Sequence, residues 1–294
     1  MPSRTPPSLP GSGSSADRLH VVQYSGGIAS WAAAQRVAAK HGTDRLVLLF
    51  ADVLTEDPDL YRWLDDSSAQ LGVPITRVAD GRTPWQLFRD VRYLGNSRVA
   101  PCTLALKIRP CRQWLDTHAD PDSTTLHIGL DASPRDRRRS PAIAAGWKPW
   151  STHFPLLDPP HLNKDDLLAW ARRLGLRPPR LYDLGLPHNN CGGACVRAGK
   201  SHWARLLQVL PAHYAAAEAA EAQLREQLGD VAILTEQHQR QRHRLPLSEL
   251  RHRLTANQPS RPTQTPPDSE LKAAVIDASG PETSTLVSVP AIGA

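Results

Sequence analysis

The chain has 294 residues, of which 40% are hydrophobic and 22% charged, with a formal net charge of +6. That is the balance of a soluble globular protein, long enough for one large domain or a domain with an appendage. No apolar stretch reaches the ~18 residues of a spanning helix, so no transmembrane helix is expected.

The start of the chain, Met1 to Asp17, is rich in Pro, Ser and Gly and lacks the apolar run of a secretion signal, so a cytoplasmic protein with no membrane partner is expected. Residues 1–17 read as a disordered leader, and the Pro/Ser/Thr-rich residues 256–294 as a disordered tail. The folded part divides into an α/β region over 18–160 and a helical, Cys-containing region over 161–255. Leu19–Tyr24 is a short apolar strand ending at Ser25-Gly26-Gly27, and Ile28–His41 is an Ala-rich helix stopped by Gly42. Leu46–Ala51 is a continuous apolar run, as expected of a buried parallel strand. Pro58–Leu71 is a helix by pattern, Pro74–Val78 a third strand and Leu126–Leu130 a fourth. Strands alternating with helices predict an α/β fold, doubly wound, with a mostly parallel sheet covered on both faces. Helices are expected over Lys164–Gly175 and Ser201–Leu228, the second broken near Pro211. A basic helical cap is expected over Gln237–Leu254, which carries Arg240, Arg242, Arg244, Arg251 and Arg253.

Chemistry concentrates at the strand ends. A strand, a Gly-rich turn and a helix place backbone N–H groups and a helix N-terminus around an anion. Gly26 and Gly27 let phosphate oxygens approach, and Ser25 and Ser30 add hydroxyl donors. The spacing is neither that of a Walker loop nor G-x-G-x-x-G. Asp52, at the end of the second strand, is the acid expected to face a nucleotide, and Mg2+ is the cation such chemistry uses. Glu56 and Asp57 follow it, with Thr55 as an alternative helix N-cap that would make them dipole partners only. Lys107 and Arg109 are cations suited to developing phosphate charge. Asp131 precedes Arg135, Arg137, Arg138 and Arg139, a run suited to an anionic substrate or to plain solvation. The four cysteines fall in two pairs, Cys102 with Cys111 and Cys191 with Cys195. Thiolates so clustered can hold an iron–sulfur cluster or zinc, or act as free redox thiols. His188 is a further ligand candidate, and Trp147 and Trp150 are expected as packing residues.

Ser25-Gly26-Gly27-Ile28-Ala29-Ser30 resembles the PP-loop of the adenine nucleotide alpha-hydrolase superfamily, and the chain looks most like its phosphoadenosine phosphosulfate (PAPS) reductase-like members. Phe50–Pro58, Cys102–Pro110 and His188–Val196 resemble further segments of that family, in the same order. The resemblance implies an enzyme that binds ATP or a related adenine nucleotide and cleaves at the alpha-phosphate. It implies a link to sulfur transfer or reduction through the cysteines. Lys107 and Arg135 would be catalytic; Ser25, Gly26, Gly27, Ser30, Asp52 and Asp131 would bind the nucleotide. Cys102, Cys111, Cys191 and Cys195 would hold a 4Fe-4S cluster. The acceptor would be a small molecule or a nucleic acid, and a homodimer is among the states allowed. Ala29 stands where many PP-loops have aspartate, and the C-terminal Glu-Cys-Gly segment of sulfate-assimilating reductases is missing, so a divergent relative is expected. The competing expectation is a non-catalytic module that binds nucleic acid through residues 240–253.

Overall fold

The computed structural model describes residues 18–256; the leader expected over 1–17 and residues 257–294 of the expected tail lie outside the described residues, while Ala256, expected to begin the tail, ends a helix. The first half of the chain runs β1 (Leu19–Gln23), α1 (Ile28–His41), β2 (Leu46–Asp52), α2 (Pro58–Leu71), β3 (Ile75–Ala79) and α3 (Pro84–Asp90). A π-helical turn, Thr103–Ile108, leads directly into α4 (Arg109–His118), followed by β4 (Thr124–Ile128), α5 (Pro134–Gly146) and β5 (Ser151–His153). The second half contains α6 (Lys164–Arg173), α7 (Arg180–Asp183), α8 (Lys200–Val209) and α9 (Pro211–Leu228). It closes with β6 (Leu234–His238), β7 (Gln241–Leu245) and α10 (Leu247–Ala256).

β1 to β5 form one parallel sheet in the order β3-β2-β1-β4-β5. Side chains alternate between its faces. Val22, Leu48 and Phe50 pack under α1, α2 and α6 with Trp31, Trp63, Leu167 and Ala171. Val21, Leu49 and Leu126 face the other way, onto Cys111 and Leu115 of α4 and onto Trp147 and Trp150. Burial on both faces explains why β1 and β2 read as unbroken apolar runs. The doubly wound α/β fold expected from the sequence is the one observed. The strand order reverses between β1 and β4, so the crevice at their C-terminal ends is where such sheets take ligands.

The helical cap expected over Gln237–Leu254 is instead the antiparallel hairpin β6–β7 followed by α10. A buried carboxylate holds the hairpin's ends to α9. Glu221 accepts hydrogen bonds from Ile233 N at 2.8 Å and Leu247 N at 2.6 Å. Around it Trp203, Tyr214, Leu224, Leu247 and Leu250 form a separate apolar core.

A chain of histidines lies on the α1 face of the sheet. His20 Nδ1 is 3.0 Å from His127 Nε2, His127 Nδ1 is 3.3 Å from His153 Nδ1, and His153 Nε2 is 2.9 Å from Asp158 Oδ2. One tautomer set satisfies every link with each ring neutral: His20 donates to His127, His127 to His153, and His153 to the Asp158 carboxylate. A further proton on His127 would set donor against donor. Burial, with neighbouring histidines adding to it, lowers His20 to about 4 and His127 to about 3. Unfolded histidine takes up its proton near pH 6.5. As pH falls below that value the unfolded state binds more protons than the folded one. Stability is therefore full above pH 6.5 and declines towards pH 4, by up to about 1.4 kcal/mol per pH unit for each histidine. Thermal melts across that window are expected to fall less steeply for His127→Gln than for the parent; equal slopes would remove His127 as a source of acid sensitivity.

Candidate functional site

The turn after β1 is built to leave a helix end open. Gly26 has φ +73°, and a Cβ there would lie 2.6 Å from Leu60 Cδ1, so both backbone and packing require glycine. Gly27 opens α1 in extended conformation, with no side-chain cap and no acid in the first turn. Asn189 Nδ2 donates to Gly26 O at 3.0 Å, and Ile28 N donates to the Tyr182 hydroxyl at 3.1 Å. Ser30 turns inward and donates to Gly27 O at 2.8 Å, while Ser25 donates to Ser30 Oγ at 3.3 Å. The loop is thus held in place, with Ile28 N taken up by Tyr182, and the 14-residue helix has no acid in its first turn to repel an anion.

A cavity of about 230 Å³ lies beside this loop, at the C-terminal ends of β1, β2 and β4. Ser25, Ser30, Lys107, Gly129 and Arg139 are among its lining residues, with Leu49, Ala51 and Ile128 as apolar walls. Lys107 is brought in by the π-helical turn, a distortion that re-aims side chains and recurs at functional sites. Its ammonium stands 3.8 Å from the buried Glu56 carboxylate. Burial works against the Lys107 charge, but Glu56 and three thiols outweigh it and raise its pKa. Burial pushes the Glu56 carboxyl up, against the pull of Lys107.

Several expected residues stand elsewhere. Asp52 does not line this cavity. It is buried and committed to structure, accepting from Leu54 N at 2.7 Å and Tyr61 Oη at 3.0 Å and pairing with Arg77. Asp131 folds onto its own turn, accepting from Ser133 N at 2.9 Å, and lines a different depression with Lys164. Arg135 is exposed at the start of α5; the arginine that reaches the cavity is Arg139, one turn on, steadied by Asp136 at 2.8 Å. Asp57, not Thr55, is the N-cap of α2, accepting from Asp59 N at 2.9 Å and held bidentately by Arg180 at 2.9 and 2.8 Å. Trp147 and Trp150 are buried packing residues, with Arg112 lying over both rings.

The cysteines separate into three and one. Cys102, Cys191 and Cys195 line a second cavity of about 310 Å³, with Pro84, Trp85 and Val196. Cys111 lines the first cavity and is packed in the sheet core; burial raises its thiol to about 12. The loop that carries Cys191 is tightly curled. Cys191, Gly192 and Gly193 have φ of 52°, 57° and 87° in succession. This brings Cys195 back to the cavity that Cys191 lines. Each thiol shifts the other: Cys195 holds the Cys191 pKa up, and Cys191 draws that of Cys195 down. Cys191 N donates to Glu56 Oε2 at 2.5 Å, His213 Nδ1 donates to Gly192 O at 2.8 Å, and His202 Nε2 donates to Gly193 O at 2.6 Å. His188 stacks on His202 with ring centroids 4.7 Å apart.

No family model matches the sequence, and no curated protein matches it. The fold is similar to that of a solved enzyme. This is the phosphoadenylyl-sulfate (PAPS) reductase from Candida auris, in its phosphate complex. The match is 12% identical, covers 58% of this chain and 78% of that chain, and has a TM-score of 0.41.

The expected cofactors meet different fates in this geometry. An anionic nucleotide finds a loop, a helix end and two cations. The four-thiolate set expected for a 4Fe-4S cluster is not assembled. Among the described residues no group of three or more His, Cys, Asp or Glu side chains could hold a metal ion. Cys111 is the physical reason: it packs in the sheet core beside the first cavity, whereas Cys102 lines the second. No carboxylate lines the cavity beside the Ser25–Ser30 loop either, since Asp52 is spent on Arg77 and Tyr61. No helix among the described residues is long and apolar enough to cross a membrane.

Proposed function

We propose that this chain is a PP-loop nucleotide enzyme of PAPS reductase-like type that binds ATP or a related adenine nucleotide. It cleaves at the alpha-phosphate, transferring the adenylyl group to an acceptor and releasing pyrophosphate. One observation carries this reading. At the point where the strand order reverses, Ser25 and Ser30 of the loop that leads into α1 line one cavity with Lys107 and Arg139, while Gly26 and Gly27 stand outside its lining. Backbone N–H groups of the loop hold the phosphates. Lys107 and Arg139 stabilise the charge that grows on phosphate oxygens as the acceptor attacks. Mg2+ carried by the nucleotide offsets the remaining charge. Titration calorimetry with ATP, together with an assay for released pyrophosphate, tests the reading. Binding with release supports it; neither binding nor release sinks it.

A second reading has its own observation. Arg251 and Arg253 of the basic segment are tied to Glu218, Glu236 and Glu249. Arg242 and Arg244 have no acidic partner among the described residues and line a groove of about 350 Å³ with Arg98 and Tyr93. A nucleic-acid acceptor would lie there, its backbone on the arginines and a base on the tyrosine. Binding of a single-stranded oligonucleotide that weakens steeply with salt, and weakens further in Arg242→Ala, supports this; salt-independent or absent binding refutes it.

A further inference from the structure

We propose that Cys191 and Cys195 form a redox-active dithiol that exchanges with an uncharged organic disulfide entering the apolar cavity. Cys195 is the attacking sulfur and Cys191 the resolving one. This goes beyond the nucleotide reading and does not depend on it.

Four observations carry the inference. The two cysteines line one cavity, with three residues of chain between them. The turn that places them there has three successive left-handed residues, one of which is not glycine, and such strain persists only where its surroundings hold it. Here Glu56 holds the Cys191 amide, and His213 and His202 hold the carbonyls of Gly192 and Gly193. The cavity next to the pair is lined by Pro84, Trp85, Val196, Ala212 and Ala216, and no charged side chain lines it apart from what His213 can carry. A disulfide with apolar substituents is the reactant that fits such walls. Finally, the Cys191 thiol draws the Cys195 pKa down against the cost of burial, and the Arg197 amide and the Lys107 ammonium add to that pull. These donors favour negative charge on that sulfur, the one that must attack.

The exchange balances. The Cys195 thiolate attacks one sulfur of the substrate disulfide; the S–S bond breaks and the first substrate thiolate leaves. Cys191 then gives its proton to that thiolate. Its own sulfur attacks Cys195 Sγ, forming the Cys191–Cys195 disulfide and expelling the second substrate thiolate, which takes a proton from water. The substrate is reduced by two electrons and the pair is oxidised by two. An external dithiol returns the pair to its reduced form.

The test uses the full chain, reduced anaerobically, freed of reductant and analysed for iron and zinc, with dithiodipyridine as the disulfide. The parent is expected to release two equivalents of thiopyridone in a fast phase. Peptide mapping is expected to find one new disulfide, between Cys191 and Cys195. Cys191→Ser is expected to release one equivalent and retain a mixed disulfide on Cys195. Cys195→Ser is expected to lose the fast phase, reacting on the order of 10- to 100-fold more slowly through its remaining thiols. The proposal is overturned if mapping joins Cys102 to either residue, if Cys195→Ser keeps the fast phase, or if metal is bound in proportion to protein and blocks the thiols. Mapping of the parent decides the matter even where a variant fails to fold. Loss of nucleotide binding leaves every one of these readouts unchanged.

Discussion

Lys107→Met is expected to lower nucleotide-dependent pyrophosphate release roughly 100- to 1,000-fold, the loss typical of removing one preorganised donor from developing oxyanion charge. Methionine keeps the length and bulk of the side chain, so the π-helical turn and the wall of the cavity are retained. What disappears is a positive charge that Glu56 and the nearby thiols keep protonated throughout the working pH range. The change has a second consequence. Glu56, with 3% of its side chain exposed, loses the one cation paired with it among the described residues and keeps the amides of Cys191 and Gly192. A buried acceptor left short of a partner costs about 1–3 kcal/mol. The melting temperature should therefore fall by several degrees while the protein stays folded at room temperature. Calorimetric titration with ATP, paired with thermal melts, separates the two effects. Unchanged turnover in a well-folded Lys107→Met would remove Lys107 from the chemistry.

The readable parts of the sequence were those where one physical effect dominates. α1 and α2 appear with the bounds expected because their apolar stripes end at Gly42 and Gly72, which take positive φ. β1 and β2 are apolar on both faces and need no partner to be recognised. β4 lies two residues earlier than expected, because Thr124 and Thr125 are β-branched strand formers without hydropathy to mark them. β5 is three residues, Ser151-Thr152-His153, at a sheet edge, and nothing in its composition marks a strand. The β6–β7 hairpin turns on Gln239 and Arg240 with φ of 48° and 65°, a turn that usually advertises itself with Asn-Gly. At the candidate site, Ser25, Ser30 and Lys107, singled out from residue type and the family resemblance, line one cavity. The choice of Arg139 over Arg135 was not legible, because it depends on which turn of α5 faces the cavity. Asp52 was misleading for a similar reason: its competitors, Arg77 and Tyr61, come from β3 and α2 and cannot be placed beside it from the sequence. Pairing cysteines by proximity along the chain failed at Cys111, where helix geometry separates what the sequence puts close together.

Gly129 is the residue whose importance the sequence hides most completely, and Gly129→Ala is expected to damage both stability and the nucleotide loop. It follows β4 directly. A Cβ there would stand 2.6 Å from Ala29 O, 2.7 Å from Ala29 C and 2.8 Å from Ser30 Cα. All three are backbone atoms in the first turn of α1, so no rotamer change can relieve the overlap. Either α1 or the end of β4 must move by several tenths of an ångström. Overpacking of this kind costs about 1–3 kcal/mol. In a folded unit of this size that lowers the melting temperature by roughly 2–4 °C for each kcal/mol. The displacement falls on the helix end that carries the anion site, so ATP affinity should drop further than the stability loss alone would require. Gly146→Ala supplies the contrast. Nothing lies within 4 Å of its added Cβ, and it closes α5 without a positive φ. Its melting temperature should match the parent or exceed it, since alanine restricts the unfolded chain. Two glycine-to-alanine changes thus separate a close approach of backbones from ordinary helix propensity. Should Gly129→Ala melt and bind like the parent, the contact between β4 and α1 does not set the position of the loop.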